Sequence, residues 1–149
     1  MRMIVSVAAV LALMLGGAAQ AQVRKGAIRL SDLQLRATPK GVPTSAAYMT
    51  IRNAGKAPDT LVAIDCACAD AAMIHESRTR NGVSSMAMLR EVAIPAGGQV
   101  RFKPDGLHVM LVGLKKPLKA GTTQTLTLRF KAAGAVKAAF QVRDVIAAR

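Results

Sequence analysis

The 149-residue sequence predicts an all-β domain, a sandwich or a barrel. Three observations carry this. Apolar and polar residues alternate over short runs, the two-residue period of a half-buried strand. Turn residues separate the runs at intervals of about 8–12 residues, the spacing of strands in sandwiches and barrels. Apolar residues make up 52% of the chain, enough for a core, which excludes wholesale disorder.

Taken in order, residues 28–36 form the first predicted strand. Residues 38–44 read as a loop, because Pro39 and Pro43 would remove ladder donors. Strands follow over 46–52, ending at Asn53-Ala54-Gly55, and over 60–65 and 72–76. Residues 77–82 have hairpin-turn composition, closing on Asn81-Gly82. A strand over 85–92 stops at the turn signal Pro95-Ala96-Gly97-Gly98. Residues 100–103 lead into the turn Pro104-Asp105-Gly106. Strands over 107–114, 124–131 and 136–143 complete the set, with Gly121 and Gly134 in the gaps. No repeat or low-complexity linker divides the chain.

The first 21 residues have a different logic. Arg2 gives a positive start, residues 4–15 are an apolar run, and Ala19-Gln20-Ala21 offers a small-x-small cleavage site, the layout of a secretory signal peptide. The run is too short to span a bilayer, which takes about 20 apolar residues. Residues 22–149 are thus expected to be one exported domain, soluble in a bacterial periplasm and without stable membrane insertion. Export permits disulfides, but Cys66 and Cys68 have one residue between them. A bridge over so short a loop removes little chain entropy. The core must hold the domain.

The formal charge is +13, from 21 Lys and Arg against 8 Asp and Glu. Such a charge raises nucleic acid as a partner. Single-strand binders need aromatic stacking platforms, however, and the aromatics here are only Tyr48, Phe102, Phe130 and Phe140, mostly in strand-like runs. Nucleic acid is set aside. The charge favours encounter with acidic protein surfaces or an anionic membrane leaflet instead.

The chemistry gathers around the two histidines. His108 sits in Leu107-His108-Val109-Met110-Leu111-Val112, where alternation puts Leu107, Val109 and Leu111 on one face and His108 with Met110 on the other. The aliphatic trio faces the core, so His108 and Met110 point together away from it toward an exposed surface. His75 precedes Met86 by ten intervening residues, and Met88 shares a strand face with Met86. A hairpin over 77–82 would carry His75 to the Met86 strand. Two imidazoles and two or three thioethers are soft or borderline neutral donors, which suit Cu(I) and offer little to Zn(II), Mg(II) or Ca(II). Catalytic zinc would want a third nitrogen or oxygen ligand and an activating base, and the chain has no third His. Catalysis is not expected.

The pattern His75, ten residues, Met86, twenty-one residues, His108-x-Met110 resembles the copper motif of the periplasmic copper chaperone family PCu(A)C. The likeness extends to Leu35-Arg-Ala-Thr-Pro39, Ala47-Tyr-Met-Thr-Ile-Arg-Asn53, Ile94-Pro-Ala-Gly-Gly98, Leu107 to Lys115 and Pro117-Leu-Lys-Ala-Gly121, covering about residues 27–145. The resemblance implies a cupredoxin-like Greek-key β-sandwich holding one Cu(I) per monomer through His75, Met86, His108 and Met110, with Met88 an alternate. It also implies copper delivery to the respiratory cytochrome oxidase copper site, with a copper-accepting oxidase subunit and a Sco-type thiol protein as partners. Three features depart from the family. Glu76-Ser77 stands where a Met often follows the first His, Gln34 replaces a Trp, and Cys66-Ala67-Cys68 is additional. That pair could be an accessory copper site, a redox handle or two buried small residues.

Three rivals remain. A blue-copper electron carrier needs a Cys thiolate in the site, and no Cys lies between Met86 and Met110. A thiol-disulfide oxidoreductase usually carries C-x-x-C near a βαβ pattern, and neither is present. A periplasmic copper buffer would have the same binding site as a chaperone.

Overall fold

The computed structural model describes residues 22–144, so the predicted leader lies outside the described residues. Eleven strands follow one another: β1 (Val23–Lys25), β2 (Ile28–Arg36), β3 (Thr44–Asn53), β4 (Asp59–Cys66), β5 (Ala69–Arg80), β6 (Val83–Leu89), β7 (Val92–Ile94), β8 (Gln99–Phe102), β9 (Leu107–Leu114), β10 (Thr123–Phe130) and β11 (Gly134–Arg143). No helix occurs among the described residues. The strands form one continuous ladder in the order β6-β5-β9-β8-β3-β2-β11-β10-β4-β7, with β1 added to β2 and β9 also pairing β3. Most pairs are antiparallel, while β11 runs parallel to β2 and β8 to β9.

The ladder curls over itself because each strand has one apolar face to bury. In β11, Val136, Ala138, Phe140 and Val142 are buried and the residues between them are exposed or half-exposed. The same alternation delivers Leu30 and Leu35 of β2, Ile51 of β3, Leu61 of β4, Leu111 of β9 and Leu128 of β10 to one contiguous cluster, each fully shielded from solvent. Fully burying one such side chain is worth about 1.5–3 kcal/mol. That core is the main stabilising element, as the uninformative spacing of the cysteines required.

The predicted strand at 85–92 is corrected by the structure. It breaks at residues 90–91, because β6 pairs with β5 at one end of the ladder and β7 with β4 at the other. One straight segment cannot serve both ends. Strand β1 has no counterpart in the predicted set; it is a three-residue return that pairs Val23 with Leu30. Strand β5 is longer than predicted because the hairpin zips fully, from Ile74 opposite Leu89 to Arg80 opposite Val83. At its tip Asn81 and Gly82 both adopt positive φ, 51° and 76°, as a two-residue type I′ turn requires.

Two polar residues brace the connections. Asn53 is 1% exposed, yet its amide donates to the carbonyls of Ala57 and Ile94 and its Oδ1 accepts from the Gly55 N–H. Asp59, at the start of β4, accepts from the N–H groups of Thr60, Ala132 and Ala133 at 2.7, 2.8 and 3.0 Å. Burial acts to raise its carboxyl, but these three donors outweigh that effect and hold it below the ordinary aspartate value.

Strand β9 also contains a position that only glycine fits. Gly113 has φ +72°, and a Cβ there would overlap the Asp70 side chain. Gly113→Ala is therefore expected to cost about 1–3 kcal/mol, the price of a strained left-handed residue. A urea midpoint unchanged by that substitution would show that β9 relaxes freely at this point.

Candidate metal centre

Cross-strand register assembles the site. On β5 and β9, His75 lies directly opposite His108, and Met73 opposite Met110. On β5 and β6, His75 lies opposite Met88 and Ser77 opposite Met86. Side chains two apart share a face, and directly paired residues share a face. Met73, His75, Met86, Met88, His108 and Met110 consequently project from the same face of three adjacent strands.

Distances support a common centre. His75 Nδ1 lies 3.1 Å from Met86 Sδ, the contact expected when the hairpin folds back. The two imidazole rings meet edge to face, with centroids 5.9 Å apart and planes at 76°. With metal–imidazole bonds of about 2 Å and ring radii of about 1 Å, two rings on one ion have centroids about 6 Å apart or less. The observed pair fits that limit.

His108 is positioned by the turn before it. Lys103 to Gly106 closes through the Gly106 N–H donating to the Lys103 carbonyl at 3.1 Å. The Gly106 carbonyl then accepts from His108 Nδ1 and from the Ser77 N–H, both at 3.0 Å. A carbonyl can only accept, so Nδ1 carries the proton and Nε2 is left with its lone pair for a metal. The same carbonyl ties β5 to β9. Such support of a ligand imidazole by a backbone oxygen sets both tautomer and ring orientation.

The exposed setting expected for His108 is corrected. Its face is the expected one, with Val109 and Leu111 on the core side, but His108 is 5% exposed. Strand β9 is interior, flanked by β5 on one side and by β3 and β8 on the other, and the His75 ring stands against it. Exposure moves to the edge strand. Met86 and Met88 are 55% and 63% exposed. The accessible side of the centre is therefore the methionine edge of β6.

Nearby polar groups do not add to the donor set. Glu76, where the PCu(A)C motif often has Met, alternates to the opposite face from His75 and is held by Arg78, whose Nη2 lies 2.6 Å from Oε2. It does not join the donor set. Tyr48 lies two positions from Ala46, the cross-strand partner of Met110, and is buried. Burial pushes its phenol above the ordinary value while Arg36 partly offsets this, so it stays a neutral hydroxyl. Among the described residues no group of three or more His, Cys, Asp or Glu could hold a hard cation. Sequence reasoning missed Met73. The available signal was its position two before His75, on the same strand face.

Cys66 and Cys68 are elsewhere and are bonded to each other. Cys68 is separated from His75 by seven residues of nearly continuous β5, about 24 Å at about 3.4 Å per residue. Neither sulfur can share an ion with the histidines.

The LpqE-like family, described as "Putative lipoprotein LpqE-like", matches residues 28–142. The chain belongs to the LpqE-like family. The LpqE-like chain is 32% identical over 118 residues to "Putative lipoprotein Lxx21020" of Leifsonia xyli subsp. xyli (strain CTCB07), spanning 78% of this chain and 70% of that protein. Solved structures similar to it include PCuAC domains. The copper-bound PCuAC domain from PmoF2 is 25% identical with a TM-score of 0.73, over 84% of this chain and 99% of that one. CuI-DR1885 from Deinococcus radiodurans is 32% identical with a TM-score of 0.64, over 88% of this chain and 85% of that one. The PCu(A)C resemblance and the cupredoxin-like β-sandwich read from the sequence both hold for this LpqE-like protein.

Proposed function

We propose that this protein is an exported Cu(I) chaperone that carries one Cu(I) in the His75, Met86, His108 and Met110 centre. The observation that carries the reading is the convergence of two imidazoles and a thioether at 5.9 and 3.1 Å, on a face that also carries the thioethers of Met73, Met88 and Met110. Such a set adds no charge to the ion, so the loaded site bears only the +1 of Cu(I). It suits a soft monovalent metal that must be released again. The copper-bound PCuAC domain from PmoF2 and CuI-DR1885, both similar in structure, support the same metal.

The geometry suggests a direction of release. His108 is buried and tied to Gly106, while Met86 and Met88 stand at an open edge. A partner's ligands would displace the methionines first and the anchored histidine last. Exposed thioethers, Met88 as an alternate to Met86, would let the ion change ligands without leaving the protein. The blue-copper reading lacks its thiolate here, since both cysteines lie far from the centre in a bond to each other. The reading is therefore one of carriage: the donors are arranged to hold a soft ion and to pass it on.

The intended acceptor is the copper site of a respiratory oxidase subunit in the periplasm, with a Sco-type thiol protein as the second partner. Mixing the Cu(I)-loaded protein with the copper-free oxidase domain, with and without the Sco-type protein, should move the copper to the acceptor in near-stoichiometric amount. Copper that stays with every such acceptor would leave only a copper buffer.

A further inference from the structure

We propose that Cys66 and Cys68, once reduced, form a second Cu(I) site that the disulfide closes. The idea does not rest on the histidine–methionine reading, because the two places are separate along β5.

The disulfide has little structural work to do. It closes a loop of one intervening residue, where the entropic stabilisation from cross-linking is smallest. The backbone around it is already fixed from both sides. Cys66 pairs with Leu126 of β10, and the Cys68 carbonyl accepts from the Lys115 N–H at 3.0 Å. The pair thus sits where the chain passes from β4 to β5, with each cysteine anchored to a different neighbour. Opening the S–S bond leaves those anchors intact, so the two thiols stay together.

Three features point to a thiolate ligand pair. The Cys68 N–H donates to Cys66 Sγ at 3.2 Å, so a backbone donor stands beside the sulfur pair. Both cysteines are half-buried rather than sealed in the core, so a small ion and a reductant can reach them. Their Cα atoms are 5.1 Å apart. A two-coordinate ion with metal–sulfur bonds of about 2.3 Å needs sulfurs about 4.5 Å apart. Rotating the freed Sγ atoms away from each other provides this, because Cβ atoms in such pairs are already about 3.8 Å apart.

The donor count selects the metal. Zinc takes four ligands, and among the described residues no third His, Cys, Asp or Glu joins the pair. Cu(I) accepts two thiolates alone. Reduction consumes two electrons and two protons per disulfide, supplied by a dithiol that becomes a disulfide itself. Binding of Cu(I) then releases up to two protons as both thiols become thiolates. The site is open under reduction and absent after oxidation.

The test uses the mature chain under anaerobic conditions, reduced with a phosphine and desalted, or left oxidised. Cu(I) is titrated against a chromophoric chelator. Two ions per reduced chain and one per oxidised chain are expected, with Cys66→Ser/Cys68→Ser binding one in both states. In His108→Ala/Met110→Leu, the reduced chain should retain a copper whose X-ray absorption shows sulfur neighbours only. Loss of that ion together with the β-sheet circular dichroism would reflect unfolding, and the wild-type count then decides. One ion per wild-type chain in both redox states overturns the proposal, even if the histidine–methionine centre binds as expected.

Discussion

Replacing His108 with alanine is expected to weaken Cu(I) binding by more than about 100-fold, since losing only a hydrogen-bond partner of a metal-bound histidine costs about 10–100-fold. The fold should survive. The Gly106 carbonyl loses the imidazole but keeps the Ser77 N–H, so the link between β5 and β9 persists. Met110→Leu is the cleaner companion, because Leu for Met conserves volume and usually costs less than about 1.5 kcal/mol of stability. It removes the sulfur alone. Competition titration with a chelator of known affinity reads both variants, and circular dichroism checks the sheet. Unchanged affinity in Met110→Leu, together with loss in Met73→Leu, would move the thioether ligand across the strand pair to Met73, its direct partner. Unchanged affinity in all three variants would remove the centre.

The second large effect concerns stability. Asp59→Ala should destabilise the fold by about 3 kcal/mol or more, because each buried donor left without a partner costs about 1–3 kcal/mol. Three backbone donors depend on that carboxylate, those of Thr60, Ala132 and Ala133. They join the start of β4 to the turn between β10 and β11, so the loss falls on that end of the ladder rather than on the candidate metal centre. The pH dependence has a definite sign. The folded-state carboxyl is held below its unfolded value, so its contribution is complete above the ordinary aspartate value of about 3.9 and is lost as the pH falls from there through the folded value. Urea midpoints between pH 7 and pH 2 should drop for the wild type and drop less for Asp59→Asn. Parallel acid losses in both proteins would mean that other carboxylates govern acid stability.

Local periodicity alone determined the strands that bury one face. Residues 28–36 and 107–114 could be bounded from the sequence to the residue, because alternation and the flanking turns are properties of neighbours in the chain. Asn81-Gly82 likewise announced its hairpin, since the positive φ values of a type I′ turn suit Asn and Gly. The candidate donors were also legible, as the chain has only two histidines and their strand neighbours include methionine. What tertiary structure decided was opposition and cover. The sequence says which side of β9 His108 takes, but its burial depends on β5, β3 and β8 lying alongside. Met73 became a candidate only when register put it opposite Met110. The break at residues 90–91 follows from the order of strands in the ladder. That order is set by long-range burial of apolar faces, which no local pattern encodes.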